Sequence, residues 1–231
     1  DMYLRLSDHW ASHGYVVILP VHADSRSLGL SFAGMDPRKM GQLVYNRRYD
    51  MQHVLNSLVN IEAQVPELAG QLDHNRLIAA GHSMGGATAM AVSGLVLHDS
   101  STQWVDRFTE DRFDVLLLLG DPGNRDFMPE APWRTISIPT LIITGSNDYG
   151  QSIASGPMKL EFPDGTEFPD TPNHYLFIND MDHYMGGLIC RADVPGPLDY
   201  DAVVIARGVS TAFLDAYTKD DDEAKQFLSS D

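Results

Sequence analysis

The stretch Ala79–Met90, "AAGHSMGGATAM", sets a serine among glycines between an apolar run and an alanine-rich one. The preceding run, "RLIAA" (Arg76–Ala80), has the length and apolarity of a buried strand. The following one, from Gly85 to Leu97, has helix-forming composition, with Ala89, Val92 and Val96 at helical spacing. Ser83 therefore falls on a sharp strand-to-helix turn, with Gly81 and Gly85 two residues away on either side. That G-x-S-x-G spacing is the pattern of a nucleophile elbow, with His82 as its second position. There the serine backbone is strained, and a side chain at either flanking glycine is expected to collide with the neighbouring strand or helix. The helix that follows would aim its first N–H groups, Met84 foremost, at an anion formed beside the serine. The plain alternative is a glycine-rich turn that only packs a helix on a sheet. A bare G-x-S-x-G does not separate the two.

Outward from this turn, strand and helix patterns alternate. The opening "DMYLRLSDHWASHG" reads as a helix, with Tyr3, Leu6 and Trp10 on one face and Gly14 as its stop. "YVVILPV" (Tyr15–Val21) reads as a continuous apolar strand, suited to a sheet covered on both faces. A loop, "HADSRSLGLSFAGMDP", leads to a helix ending near Ala63, whose buried stripe is Met51, Val54, Leu55, Leu58 and Ile61. After the serine turn come the strands "DVLLLLG" (Asp114–Gly120), "TLIITG" (Thr140–Gly145) and "HYLFI" (His174–Ile178). A helix over Val203–Tyr217 and an acidic tail, "KDDDEAKQFLSSD", close the chain. There is no internal repeat and no low-complexity linker. The expectation is one α/β domain over residues 1–231, built on a doubly wound, mostly parallel sheet.

Composition narrows the partners more than the chemistry. The net charge is −16, with twelve arginines against four lysines. So acidic a surface argues against nucleic acid and anionic membranes as partners. No run approaches a transmembrane span. The single cysteine, Cys190, excludes an internal disulfide and reads as a small buried hydrophobe. Neither His22 with Asp24 nor Asp180 with His183 has a metal-site spacing, so no metal and no cofactor is expected. His9, His13, His53, His74 and His98 fall on helix or loop positions and read as surface.

Ligands of open parallel sheets gather at the carboxyl ends of the strands. Asp148, in "GSND", sits just past "TLIITG", and His183, in "NDMDHYMGG", just past "HYLFI". Ser83, Asp148 and His183 thus each follow a strand, in the chain order Ser…Asp…His, the order of a nucleophile elbow's partners. In that constellation His183 takes the serine proton and Asp148 orients the imidazole. Asp121, in "GDPGN", also follows a strand and is the rival acid. Asp180 and Asp182 read as loop caps. His82 is expected to point away from the site.

On these residues the chain resembles the α/β-hydrolase superfamily from Asp1 to about Leu228. Within it, the chain is most similar to dienelactone hydrolase-like and platelet-activating-factor acetylhydrolase-like esterases. The closer likeness is carried by "HWASHGYVVILPVHADS", "RRYDMQHVLNSL", "AAGHSMGGATAMAVSG", "IPTLIITGSND", "MDHYMGGLICR" and "STAFLDAYTKDDDEAKQFL". Dienelactone hydrolases proper use a cysteine nucleophile, whereas Ser83 here implies esterase chemistry. The resemblance also implies strands before the first helix, the last leading into a loop with a second oxyanion donor. That strand would lie between Tyr15–Val21 and the strand before Ser83. Nothing here matches these parts, so the chain is expected to be N-terminally incomplete, lacking the first strands and the oxyanion loop.

The segment where this fold grows a lid, "DPGNRDFMPEAPWRTISIP", is short, which implies an open cleft suited to short acyl chains or bulky esters. Phe127, Met128 and Trp133 are candidates for its apolar wall, with ordinary packing as the alternative. The Pro-rich stretch from Tyr149 to Asn173 reads as a loop near the acid and histidine. The implied activity is hydrolysis of a small-molecule or polymeric ester. A thioesterase, peptidase, haloperoxidase or polyester hydrolase on the same fold, or a non-catalytic binding protein, stays open. Oligomeric state and compartment are not legible.

Overall fold

The computed structural model describes residues 2–29, 40–99, 104–120, 127–129, 132–148, 171–190 and 198–229. Its centre is a parallel sheet of four strands: β1 (Leu77–His82), β4 (Phe113–Leu119), β5 (Thr140–Asn147) and β6 (Asn173–Asp182), hydrogen-bonded in the order β1-β4-β5-β6. Two three-residue strands, β2 (Leu97–Asp99) and β3 (Trp104–Asp106), pair antiparallel apart from it. The molecule is thus an α/β protein with a mostly parallel sheet.

The continuous apolar runs are strands because both faces of the sheet are covered. Along β4, Leu116 and Leu118 pack on one side with helices α2 (Met40–Asn56), α3 (Leu58–Gln64) and α4 (Met84–Val92). Val115, Leu117 and Leu119 pack on the other side with α1 (Leu4–Ser12) and α5 (Tyr200–Thr218). β5 divides in the same way, Ile142 to the first cluster and Leu141 and Ile143 to the second. Burying one such leucine stabilises by about 1.5–3 kcal/mol, so an alternating polar strand in this place would forfeit one whole layer. Trp10, on the α1 face with Leu6, donates its indole N–H to Ser210 Oγ at 3.1 Å and ties α1 to α5.

Four sequence expectations are corrected. Tyr15–Val21 is not a strand among the described residues. Tyr15 and Val17 pack toward α1 and α5 and Ile18 toward the opposite cluster, but Val16, Leu19 and Val21 are exposed and no ladder forms. A strand exists through paired backbone groups, and none of the described strands lies alongside to pair with this segment. The helix after Ser83 ends at Val92, not at Leu97. Gly94 turns the chain at φ +112°, and Leu97 enters β2. The helix read as one span to Ala63 is broken at Ser57 into α2 and α3. The acidic tail contains a helix, α6 (Asp222–Leu228), started by Asp221, whose carboxylate accepts from Glu223 N at 2.9 Å and Ala224 N at 3.0 Å.

Candidate active site

β1, β5 and β6 run parallel, so the residues just past their ends lie at one edge of the sheet. Those residues are Ser83, Asp148 and His183. Ser83 follows β1 and caps α4 with φ 54° and ψ −117°, a conformation that β-carbon-bearing residues rarely adopt. Strain of this kind costs about 1–3 kcal/mol and persists only where the surroundings enforce it. Here the Ser83 N–H is held by Leu119 O at 3.1 Å and Gly120 O at 3.3 Å, both at the end of β4.

The two flanking glycines differ, contrary to the expectation that both are sterically required. A Cβ on Gly81 would lie 2.0 Å from the Gly85 carbonyl oxygen, which backbone cannot accommodate. A Cβ on Gly85 would meet nothing within 4 Å among the described residues. The close approach of β1 to α4 is therefore enforced at Gly81 alone. Met84 is the first residue of α4, so its N–H has no intrahelical partner and faces the turn end of the helix.

Asp148 follows β5 and is buried, at 4% exposure. Its Oδ2 accepts from Thr144 Oγ1 at 2.7 Å, and its Oδ1 accepts from His183 Nδ1. Thr144 lies on β5 itself, so the carboxylate is fixed by its own strand. Because a carboxylate only accepts, the proton on the histidine sits on Nδ1 and Nε2 is the free nitrogen. The loop that carries His183 is shaped by Asp182, whose Oδ1 accepts from Tyr184 N at 3.1 Å and Gly186 N at 3.0 Å. Asp182 is thus a loop cap, as its place beside the histidine suggested. Asp180 anchors the loop through its backbone, donating to Ser146 Oγ at 2.7 Å and accepting from Asn147 Nδ2 at 2.9 Å.

Ser83 and His183 converge on Gly120, the residue after β4. Gly120 has φ +58°, and a Cβ there would lie 3.2 Å from His183 Nδ1 and 3.1 Å from His82 Cδ2. Among the described residues no hydrogen bond joins Ser83 Oγ to His183. Such contacts are often long until a ligand is bound. Ser83 and Met84 are half-buried and His183 retains access to solvent, so the group opens to the surface.

The other candidates sort as follows. Phe127 and Met128 are buried in the cluster of α2 and α4, with the Phe127 ring carbon Cγ 3.3 Å from where a Gly41 Cβ would stand. Trp133 lies in a short 3₁₀ turn, Pro132–Thr135, but its side chain is outside the described residues, as are Asp121 and most of the 149–173 stretch. Cys190 is half-buried and free, its thiol directed to Gly187 O. His22 pairs with Asp50, Asp24 with Arg47, and His9 with Thr211. Among the described residues no group of three metal-ligating side chains occurs, and no helix is long and apolar enough to cross a membrane.

Two contacts were missed from the sequence. Thr144 lacked a signal because nothing in "TLIITG" distinguishes a hydroxyl facing the acid from one facing the core. His82 was expected to point away, yet its Nε2 reaches the His183 carbonyl oxygen at 2.7 Å. No protein-family model matches this chain, and none of the curated proteins matches it in sequence.

Proposed function

We propose that this protein is a serine hydrolase of carboxylic esters with an α/β-hydrolase type of fold. The observation that carries the reading is Ser83 held in a strained strand-to-helix turn at the sheet edge where His183 is paired to buried Asp148. A turn that served packing alone has no need of a left-handed serine, nor of an acid-oriented imidazole beside it.

In this reading Ser83 Oγ attacks the acyl carbonyl carbon as its proton passes to His183 Nε2. The imidazolium so formed is stabilised by Asp148 through Nδ1–H, while Asp148 stays ionised. The Met84 N–H donates to the oxyanion of the tetrahedral intermediate, aided by the α4 N-terminus. Collapse of the intermediate breaks the ester C–O bond, and His183 returns the proton to the leaving alcohol. Water then attacks the acyl-enzyme by the same route, releasing the acid and restoring Ser83.

The test is labelling by a fluorophosphonate together with turnover of p-nitrophenyl acetate, butyrate and octanoate. Ser83→Ala is expected to abolish labelling and to lower turnover by up to about 10⁶-fold. Acetate and butyrate are expected to be preferred to octanoate, as befits the short segment between β4 and β5. If Ser83 takes no label and no ester is hydrolysed, the arrangement belongs to a binding protein.

A further inference from the structure

His82, the residue before the candidate nucleophile, is buried with its ring against that of His183, the centroids 4.6 Å apart and the planes tilted by 46°. Its Nε2 lies 2.7 Å from the His183 carbonyl oxygen. A carbonyl only accepts, so Nε2 carries the proton and donates. Nδ1 faces the Tyr3 hydroxyl at 3.5 Å. Burial raises the Tyr3 pKa, so this group stays a phenol. The His82 ring thus spans two neighbours, with Nε2–H donating to His183 and Nδ1 directed toward Tyr3.

We propose that His82 is a positioning residue that holds the main chain of His183 and thereby aims its ring between Asp148 and Ser83. One residue joins the two halves of the site: its backbone leads into the strained Ser83, and its side chain grips the backbone of the histidine 101 positions later. Asp182 holds the N–H side of the His183–Tyr184 peptide unit, through Tyr184 N, and the turn at Gly186 N. The His82 bond holds the carbonyl side of the same unit, so the backbone on the C-terminal side of His183 is clamped from both edges. Its Nε2 is committed to that carbonyl, and its Nδ1 lies toward Tyr3. Its effect on turnover rests on the hydrolase reading, whereas its hold on the His183–Asp148 pair does not.

Two variants of the whole chain test this. His82→Phe keeps a ring and removes the donor, and His82→Gln places an amide N–H near the position of Nε2. The readouts are kcat and KM for p-nitrophenyl butyrate and the low-field proton resonance of His183 Nδ1–H by NMR, with melting temperature as a check on folding. His82→Phe is expected to lower kcat by about 10- to 100-fold with KM little changed, since small misplacement of a reacting group costs on that order. It should also broaden or shift the low-field resonance. His82→Gln is expected to restore most of both. The proposal is overturned if His82→Phe leaves the resonance and kcat as they were, or if the two folded variants are equally impaired. If the unaltered protein hydrolyses no ester and takes no fluorophosphonate label, the hydrolase reading falls, and the resonance alone decides whether His82 positions His183.

Discussion

Asp148 divides its two carboxylate oxygens between the strand that carries it and the histidine it faces. Oδ2 accepts from Thr144 and Oδ1 from His183. Asp148→Asn keeps the shape but puts an N–H donor within the site, which favours the wrong imidazole tautomer. On the proposed mechanism a loss of about 10⁴-fold in kcat is expected, by analogy with serine hydrolases. Thr144→Val leaves one buried oxygen unpaired and should cost about 1–3 kcal/mol of stability by urea denaturation. Its activity loss should be smaller than that of Asp148→Asn. Full activity in the Asn variant would pass the role of acid to another carboxylate, Asp121 first.

The asymmetry of the elbow glycines gives a second prediction. Gly81→Ala pushes a methyl group into backbone at 2.0 Å, so the variant should fail to fold or should lose more than about 3 kcal/mol. Gly85→Ala, in the first turn of α4, meets no described residue within 4 Å and has no positive φ to strain it. It should be neutral, or stabilising by up to about 1 kcal/mol through helix propensity. Equal destabilisation of the two variants would contradict this geometry.

His174 gives a pH dependence with a definite sign. Burial lowers its pKa, and Nε2 lies 2.7 Å from the Tyr217 hydroxyl. The folded state therefore binds the proton more weakly than the unfolded chain, whose histidine titrates near about 6.5. Stability from this site is complete above the unfolded value and declines as pH falls through it toward the folded one. Melting temperatures measured from about pH 8 down to about pH 5 should fall less steeply in His174→Phe than in the unaltered protein. A residual slope is expected from His9, whose pKa burial also lowers.

Asp24 and Arg47 form a bidentate pair away from water, with Arg47 Nε donating at 3.0 Å to Oδ1 and Nη2 at 2.9 Å to Oδ2. The pair fastens the segment after Tyr15–Val21 to α2. Asp24→Ala removes the carboxylate that accepts these bonds from a buried guanidinium and should destabilise by about 1.5–3 kcal/mol. Replacing both residues with apolar ones of similar volume should recover much of that loss. Denaturation midpoints of the single and double variants test it, and a double variant worse than Asp24→Ala would reject it.

β4 and β5 were legible because they are buried on both faces and so write themselves as unbroken apolar runs. "DVLLLLG" predicted 114–120, and β4 is Phe113–Leu119. The placement of Ser83, Asp148 and His183 followed from the same runs, since residues just past parallel strands share an edge. Tyr15–Val21 shows the limit. Its apolarity is that of a strand, but pairing depends on what lies beside it, which no local pattern records. β2 and β3 are three residues each, too short for a period to show, and Val96 at helical spacing drew the preceding helix too far. In the tail, the charges hid a helix whose signal was the cap at Asp221. The grip of His82 on His183 joins positions far apart in the chain, and only the folded sheet brings them together.

Gly120 carries a consequence for anyone who would reshape this site. A Cβ there would come within 3.1–3.2 Å of two imidazole rings, and the backbone is already left-handed, so any other residue must both displace a ring and adopt a strained conformation. A saturation library at residue 120 should return almost only the parent glycine. The end of β4 is thus fixed where Ser83 and His183 meet, and any reshaping must come from the chain segments around it.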